Sequence, residues 1–313
     1  MLKLACEHVI QALCENLQRS TRVYLCTVIS TWGSSPRPPG AMMVWSESGI
    51  AGSISGGCVE DDLFERFVAG EFENKTPCLI RYGDGSETRK KVKLPCGGIM
   101  QVLVESMPAD SLGQWQNILK QISQRQGLSR TVNLVSGDWT VDLSGPVLLE
   151  KNQQQLVYYI GPARKLLIVG ANQISYYLAN YASTLDFEVT ICDPSEKVSA
   201  QLKNAGFEFI ARYPDGIIDQ RFSDANSAVV AVSHDPRLDD MALLEALPSQ
   251  AFYVGAMGSK RTSAARMDRL HLLDLPEKAL SRLHAPIGLS IGSKTPSEIA
   301  ISIAAHLVEQ YAT

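Results

Sequence analysis

This chain of 313 residues has no long hydrophobic run, no strong excess of one charge and no internal repeat or low-complexity tract. No apolar stretch approaches the roughly 20 residues that span a bilayer. The formal net charge of -4 argues against a general nucleic-acid-binding surface. The N-terminus runs from Met1 into polar helical residues and not into a signal-peptide core. We therefore expect a cytoplasmic protein that binds neither membrane nor nucleic acid.

The seven cysteines lack the pattern of a disulfide framework or of a structural zinc site. Their number is odd, they are widely scattered, and no Cys-x-x-Cys pair occurs. Five of them are interpreted as packing residues, whereas Cys58 and Cys96 are each followed or preceded by paired glycines. Because loop amides favour the reactive thiolate form, these two indicate a metal pair, a redox pair or a nucleophile, with chance as the alternative.

The stretch Gly52–Glu60 reads Gly-Ser-Ile-Ser-Gly-Gly-Cys-Val-Glu and leads into a predicted helix over Val59–Ala69. Glycines let the backbone turn sharply and come close to a ligand. The first amides of a helix have no internal partners and attract anions. The stretch therefore predicts a cradle for a negatively charged ligand beside a soft sulfur donor. Its candidate contacts are Gly56, Gly57, Cys58 and Glu60.

Two more loops in the first half suggest ligand binding. The stretch Ser34-Ser-Pro-Arg-Pro-Pro-Gly40 is a stiff loop that carries the polar donors Ser34 and Arg37, although it also fits a plain surface connection. The stretch Leu94-Pro-Cys-Gly-Gly98 is a tight turn whose amides suit an anion nest. Its candidate contacts are Cys96, Gly97 and Gly98.

The two halves of the chain differ in their predicted elements. The first half opens with a helix over Leu2–Arg19 and then has mostly strands, which indicates an α+β domain over residues 1–160. Its last four predicted strands are Thr131–Val135, Trp139–Leu143, Pro146–Leu149 and Gln155–Ile160. In the second half strands alternate with helices, which predicts a Rossmann-like, doubly wound parallel sheet over residues 161–313. The fold class is therefore α/β.

The start of the second half resembles a dinucleotide-binding unit imperfectly. The strand Lys165–Gly170 is followed by Ala-Asn-Gln-Ile-Ser, so Asn172 and Ser175 replace the second and third glycines of Gly-x-Gly-x-x-Gly. Asp193, at the end of the next strand, is placed to bind a ribose hydroxyl. Gly170 and Asp193 are candidate nucleotide contacts, and the sequence leaves open whether a nucleotide binds.

Two later loops also leave predicted strands. His234 precedes Asp235-Pro236 at a point that faces the usual ligand crevice, although the same residues fit an ordinary turn. Gly258, Ser259 and Lys260 suit a phosphate or a carboxylate. The alternative for them is a glycine turn before a basic helix start.

These motifs together resemble the accessory factors of xanthine dehydrogenase and related molybdenum hydroxylases. The resemblance extends over nearly the whole chain, in the right order. The chain departs from the family at Asn172, where relatives often have glycine. The motifs that carry the resemblance are Ser34–Gly40, Gly52–Glu60, Leu94–Gly98, Ser233–Pro236, Gly255–Thr262 and Pro286–Pro296.

The resemblance implies a maturation chaperone and not a turnover enzyme. Such a protein would bind molybdenum cofactor, support its sulfuration with a cysteine desulfurase, and deliver it to an apo xanthine dehydrogenase or a related hydroxylase. The family also suggests a homodimer. The resemblance further implies that Cys58 or Cys96 supplies a soft thiolate to the metal or to its labile sulfur.

Two other functions remain open from the sequence. One is an NAD(P)- or nucleotide-dependent oxidoreductase that uses the second domain, with His234 as its acid-base candidate. The other is an interaction scaffold that docks the target enzyme and the desulfurase without holding cofactor. The sequence does not identify the target hydroxylase or the nucleotide form of the cofactor.

Overall fold

The structure is a computed structural model that describes residues 6–19, 22–33, 37–73, 76–83, 97–147, 149–195 and 206–312. The chain divides into two compact units, Met1–Pro162 and Ala163–Thr313. Within the described ranges, no helix has the length and apolar character needed to cross a membrane. The predicted fold class is confirmed, since an α+β unit precedes a unit built on a parallel sheet.

The first unit is built on a five-stranded antiparallel sheet. The strands lie in the order β3-β2-β1-β5-β4. Because side chains alternate along a strand, β1 contributes to two cores. Leu25 and Ile29 pack in one core with two helices, α1 (Cys6–Arg19) and α3 (Leu112–Ser123). The strands are β1 (Val23–Trp32), β2 (Met42–Ser46), β3 (Gly49–Gly52), β4 (Cys78–Tyr82) and β5 (Ile99–Ser106).

The other face of this sheet holds α2 (Cys58–Val68). Val59, Leu63 and Phe67 recur on one side of the helix and are fully buried. The Phe67 ring stacks on Tyr24 of β1, with ring centroids 4.5 Å apart. This packing fixes the first turn of α2, where Cys58 lies, against the sheet.

A smaller sheet completes the first unit, in the order β7-β6-β9-β8. Arg130 on β6 is fully buried and bonds the Glu105 carboxylate of β5 at 2.8 and 3.0 Å, which joins the two sheets. Its guanidinium lies 4.5 Å from the centroid of the Trp139 ring. A buried ion pair of this kind needs its full set of hydrogen bonds. The strands are β6 (Leu128–Asn133), β7 (Trp139–Leu143), β8 (Glu150–Lys151) and β9 (Gln155–Ile160).

The second unit is a six-stranded parallel sheet in the order β12-β11-β10-β13-β14-β15. Counted from the first strand of the unit, this is the order 3-2-1-4-5-6 of a Rossmann fold. Strands β11 and β12 are added on one side of β10, and the later strands are added on its other side, beginning with β13. The strands are β10 (Lys165–Val169), β11 (Glu188–Cys192), β12 (Glu208–Ile210), β13 (Ser227–Ala231), β14 (Tyr253–Ala256) and β15 (Leu283–His284).

Helices cover both faces of the parallel sheet, so β10 is apolar throughout its buried length. The described helices of this unit are α4 (Gln173–Thr184), α5 (Ile217–Arg221), α6 (Pro236–Ala246), α7 (Lys260–Leu272), α8 (Glu277–Leu280) and α9 (Pro296–Ala312). Leu166 and Ile168 pack with α4 and α9 on one face of the sheet, and Leu167 and Val169 pack with α5, α6 and α7 on the other.

Candidate functional site

The predicted loops of the first half leave the five-stranded sheet at the same end. Strands β1, β3 and β4 end there, while β2 and β5 begin there, because every neighbouring pair is antiparallel. We call this end the loop edge. The register pairs that define it are Trp32 with Ile99, Tyr82 with Met100, Thr27 with Met42 and Met43 with Gly52.

Three glycines bring the loops of β1, β4 and β5 into backbone contact at the loop edge. Gly83 has a φ of 99°, and a Cβ there would lie 2.2 Å from the carbonyl oxygen of Gly98. A Cβ on Gly33 would lie 3.5 Å from the Cα of Gly98. A side chain at Gly83 would therefore separate the strands. The sequence analysis identified Gly98 but missed Gly33 and Gly83, whose only signal is their position just after a strand.

The stretch Gly52–Glu60 also begins at the loop edge. Gly52 has a φ of 79°, and a Cβ there would lie 2.3 Å from the carbonyl oxygen of Met42. Gly57 is the N-cap of α2 with a φ of 121°, so Cys58 is the first helical residue. The Cys58 side chain is half-buried. The fold thus places this thiol on the first turn of a helix that is packed against the sheet.

The carboxylate of Glu60 fills the cradle that the sequence analysis assigned to an external anion. One oxygen accepts hydrogen bonds from the amides of Ile54 at 3.1 Å and Ser55 at 2.7 Å, and from the Ser53 hydroxyl at 2.9 Å. The other accepts from the Gly57 amide at 3.1 Å and from the Ser55 hydroxyl. Glu60 is only 7% exposed. It is the third helical residue, which is the acidic position of a capping box.

This arrangement changes what the loop can offer a ligand. The amides of Ile54, Ser55 and Gly57 already have an anionic partner within the chain. Among the described residues, no hydrogen-bond partner is found for the amides of Gly56 and Cys58. Gly56 is exposed. The loop therefore keeps two amide donors without a partner among the described residues, on a backbone that Glu60 stabilises.

The remaining first-half candidates are only partly defined by the structure. Arg37 is half-buried in the loop after β1, and Gly97 is exposed just before β5, with a φ of 67°. Ser34 and Cys96 lie outside the described residues. Within the described ranges, no group of three or more His, Cys, Asp or Glu side chains is arranged to hold a metal ion.

Other cysteines have surroundings that disfavour a thiolate. Burial raises the pKa of Cys14 to about 11 and that of Cys6 to about 12. In the second unit, burial likewise raises the pKa of Cys192 to about 12. These side chains remain thiols at neutral pH and act as packing residues.

In the second unit the structure brings Gly170, Asp193 and His234 to the carboxyl edge of the parallel sheet, directly after β10, β11 and β13. The Asp193 carboxylate accepts hydrogen bonds from the amides of Ala171 at 2.7 Å and Ser195 at 2.8 Å. His234 is exposed. Asp235 caps α6 by accepting from the Arg237 amide at 2.9 Å. This edge is where ligands bind in doubly wound folds.

The loop after β14 is stabilised mainly from within. Ser259 caps α7 and accepts from the Thr262 amide at 3.2 Å, and a Cβ on Gly258 would lie 2.7 Å from the Thr262 hydroxyl. Lys260 is exposed. These contacts explain Gly258 and Ser259 as turn and cap residues, so a ligand role for them stays a prediction.

An ion-pair network that the sequence analysis missed supports the loops after β13 and β14. Arg266 bonds the Asp239 carboxylate at 2.8 Å and the carbonyl oxygen of Met257 at 2.9 Å. Asp239 also accepts from the Ser233 amide at 3.1 Å. Burial raises the pKa of Asp239 to about 6, against the opposing effects of Ser233 and Arg266. No periodic signal in the sequence pairs α6 with α7.

Two family models match the sequence. One, described as the XdhC and CoxI family, matches residues 17–83, which include the stretch Gly52–Glu60. The other, described as the XdhC Rossmann domain, matches residues 166–307. The two matches fall in different units of the structure.

Curated relatives and a solved structure match almost the full length. A probable xanthine dehydrogenase component from Bacillus subtilis is 25% identical, over 96% of each chain. The molybdenum cofactor insertion chaperone PaoD from Escherichia coli is 26% identical, over 96% of this chain and 86% of its own. A crystal structure described as a xanthine dehydrogenase from Bacillus halodurans superposes with a TM-score of 0.73 at 24% identity, over 97% of this chain and 96% of that chain. This last likeness supports the fold.

Proposed function

Because this chain belongs to the XdhC family, we propose that it binds molybdenum cofactor as cargo and delivers it to an apoenzyme of the xanthine dehydrogenase type. It acts as a maturation chaperone and not as a turnover enzyme, and its place of action is the cytoplasm. The name of the relative PaoD, an insertion chaperone, supports this proposal.

The observation that carries the proposal is that the polar loops of the first half lie at the same end of the five-stranded sheet as the first turn of α2, which holds Cys58. The loop after β1 with Arg37, the turn at Gly97 and Gly98, and the start of α2 all lie at the loop edge. Rigid elements position such a site more accurately than free loops do. The loop edge therefore brings cationic, amide and thiol groups to one end of the sheet.

The chemistry of these donors suits the cargo. Molybdenum cofactor carries a phosphate and a sulfur-bound metal centre. Amides at Gly56, Cys58, Gly97 and Gly98 suit the phosphate. A soft thiolate suits a sulfur-bound metal, so Cys58 and Cys96 are the proposed ligands to the metal or its labile sulfur. Glu60 holds the loop in shape and does not contact the cargo.

The proposed partners follow from the same role. Sulfuration of the cargo requires a cysteine desulfurase, and delivery requires an apo hydroxylase, so both dock on this chain. The chain functions as a homodimer in this proposal. The thiol on the first turn of α2 favours this role over that of a scaffold that holds no cofactor.

Cysteine variants test the cargo site. We expect Cys58→Ala and Cys96→Ala to lose most of the molybdenum and pterin that co-purify with the chain from a cofactor-producing host, because the soft ligand is gone. Metal and pterin analysis after gel filtration gives the result, and circular dichroism verifies folding.

The matched control is Cys78→Ala, since Cys78 is also half-buried but begins β4 at the end of the sheet opposite the loop edge. The control should retain cargo like the unaltered chain. Unaltered cargo in both site variants would refute the role of these cysteines.

A further inference from the structure

The second unit has the crevice in which Rossmann folds bind dinucleotides. Strands β10 and β13 are neighbours in the sheet. The helix that follows β10 packs on one face of the sheet, and the helix that follows β13 packs on the other. In doubly wound sheets the ligand binds outside the carboxyl ends of the strands at this reversal point, with its diphosphate on the N-terminus of the first helix. That helix is α4 in this chain.

The side chain of Asn172 forms hydrogen bonds to both loops that border this crevice. Its Oδ1 accepts hydrogen bonds from the amides of Ile174 at 2.9 Å and Ser175 at 3.2 Å. These are amides of the first turn of α4, where a diphosphate would bind. Its Nδ2 donates to the carbonyl oxygen of Val232, just after β13, at 2.7 Å. One amide group thus caps the helix and connects the two loops.

The backbone next to Asn172 leaves no room between the two loops. Gly170 has a φ of 101°, and a Cβ there would lie 2.5 Å from the Cα of Ser233. The Ser175 hydroxyl donates to the carbonyl oxygen of Gly170. A diphosphate normally approaches a glycine backbone at this turn, and here it meets a side chain and a second loop.

The acidic residue expected to bind ribose is also engaged. Both carboxylate oxygens of Asp193 accept backbone amides, one from Ala171 and the other from Ser195. A ribose hydroxyl would share these oxygens with the two amides, since each carboxylate oxygen has a second lone pair. Because Asn172 occupies the first-turn amides, the residues of this crevice do not fit a dinucleotide.

We infer that Asn172 is a specificity-determining residue that excludes dinucleotides from the second unit. Its carboxamide takes the place of the diphosphate, and the closed turn makes the Rossmann-like unit a structural or docking module without a redox cofactor. This inference goes beyond the proposed function, which rests on residues of the first unit. In this inference, Gly170 and Asp193 keep the turn after β10 closed.

Titration of the full chain with NADH and NADPH, followed by the fluorescence of the reduced nicotinamide, tests this inference. The unaltered chain should show no saturable binding. Asn172→Gly should show saturable binding, at least about tenfold tighter than the weakest binding that the titration detects, because the first-turn amides become available to phosphate. Asn172→Ser keeps a capping oxygen for α4 and loses the bond to Val232, so it should gain less.

Asn180→Ala is the matched control, since Asn180 lies on the same helix and its side chain bonds within it, to the carbonyl oxygen of Tyr176 at 2.7 Å. It should bind no better than the unaltered chain. Micromolar binding of NADH by the unaltered chain would overturn the inference. So would an Asn172→Gly variant that is folded by circular dichroism yet gains no affinity.

Discussion

Glu60 shows how one residue can determine the shape of a functional loop. It accepts three backbone amides and two serine hydroxyls, all from residues 53–57 just before α2. Hydrogen bonds to an ionised acceptor are stronger than neutral ones. The conformation of the stretch around Cys58 therefore depends on a carboxylate that belongs to the chain itself.

Replacement of this carboxylate by an amide should loosen the loop. Glu60→Gln places an amide group where Gly57 and Ser55 both donate, which leaves at least one donor unpaired. We expect a loss of about 2 kcal/mol in the free energy of unfolding, the cost of an unpaired buried donor. We also expect faster amide hydrogen exchange at Ile54, Ser55 and Gly57.

Asp61→Asn provides the comparison, because Asp61 is the next carboxylate on α2 and is exposed. Its exchange rates and stability should match those of the unaltered chain. Equal protection of the loop in Glu60→Gln would show that the backbone holds its shape without the carboxylate.

The sequence predicted Glu60 as a candidate ligand contact, and in the structure its carboxylate binds amides and hydroxyls of its own loop. A motif shows that amides will converge but not whether their partner is a ligand or a nearby side chain. The same ambiguity applies to Asn172, whose Oδ1 accepts an amide of its own turn, and to Asp193, which accepts the Ser195 amide of its own turn and the Ala171 amide of the neighbouring loop. Local hydrogen bonds of short polar side chains commonly compete in this way.

Among the elements, those with capping or periodic signals were predicted well. The sequence Thr295-Pro-Ser-Glu298 has the pattern of a capped helix start, and α9 begins there, with Glu298 accepting from the Thr295 amide at 2.9 Å. The alternation of strands and helices after residue 160 correctly indicated the parallel sheet. These signals are local, so no distant contact is needed to interpret them.

Short strands were predicted less well. The strand predicted over Thr131–Val135 is Leu128–Asn133, because the Asn133 side chain accepts the amides of Val135 and Ser136 and turns the chain. The strand predicted over Pro146–Leu149 is wrong, since the pairing there begins at Glu150. A proline has no amide to donate to a neighbouring strand.

Contacts between β14, β15 and α9 make the second unit sensitive to acid. The His306 Nδ1 lies 2.9 Å from the Tyr253 hydroxyl, and the His284 ring stacks on Tyr253 with centroids 4.6 Å apart. Burial lowers the pKa of both imidazoles, and His306 lowers that of His284 further. Glu309, 4.0 Å from His306, acts in the opposite direction.

The sign of the pH dependence follows from these shifts. The folded chain takes up protons on both rings at a lower pH than the unfolded chain, whose histidines are protonated below about pH 6.5. The stabilising contribution is therefore complete above that pH and is lost as the pH falls. We expect the free energy of unfolding, from urea titrations followed by circular dichroism, to decrease from about pH 7 to about pH 5.

His306→Gln should reduce this pH dependence by at least about half, because one ring no longer titrates and His284 loses the neighbour that lowers its pKa. The four tryptophans all lie in the first unit, so their fluorescence during the same titrations serves as an internal control. An unchanged slope in His306→Gln would rule out the buried imidazoles as its cause.

At the scale of the molecule, the two units differ in how their candidate edges are built. The loop edge of the first unit carries Arg37, exposed backbone at Gly56 and Gly97, and a thiol on the first turn of α2. The corresponding edge of the second unit is closed at Asn172. The sequence predicted both edges from their glycines, but only the three-dimensional structure distinguishes an open turn from a closed one.

The central claim is that the loop edge of the first unit holds the molybdenum cofactor. Hydrogen–deuterium exchange of the full chain, with and without the cofactor, measures this most directly. Bound cofactor should protect the amides of residues 53–58 and 97–98 and leave those of residues 170–175 unchanged. Protection confined to residues 170–175, with exchange at the loop edge unaltered, would contradict the account.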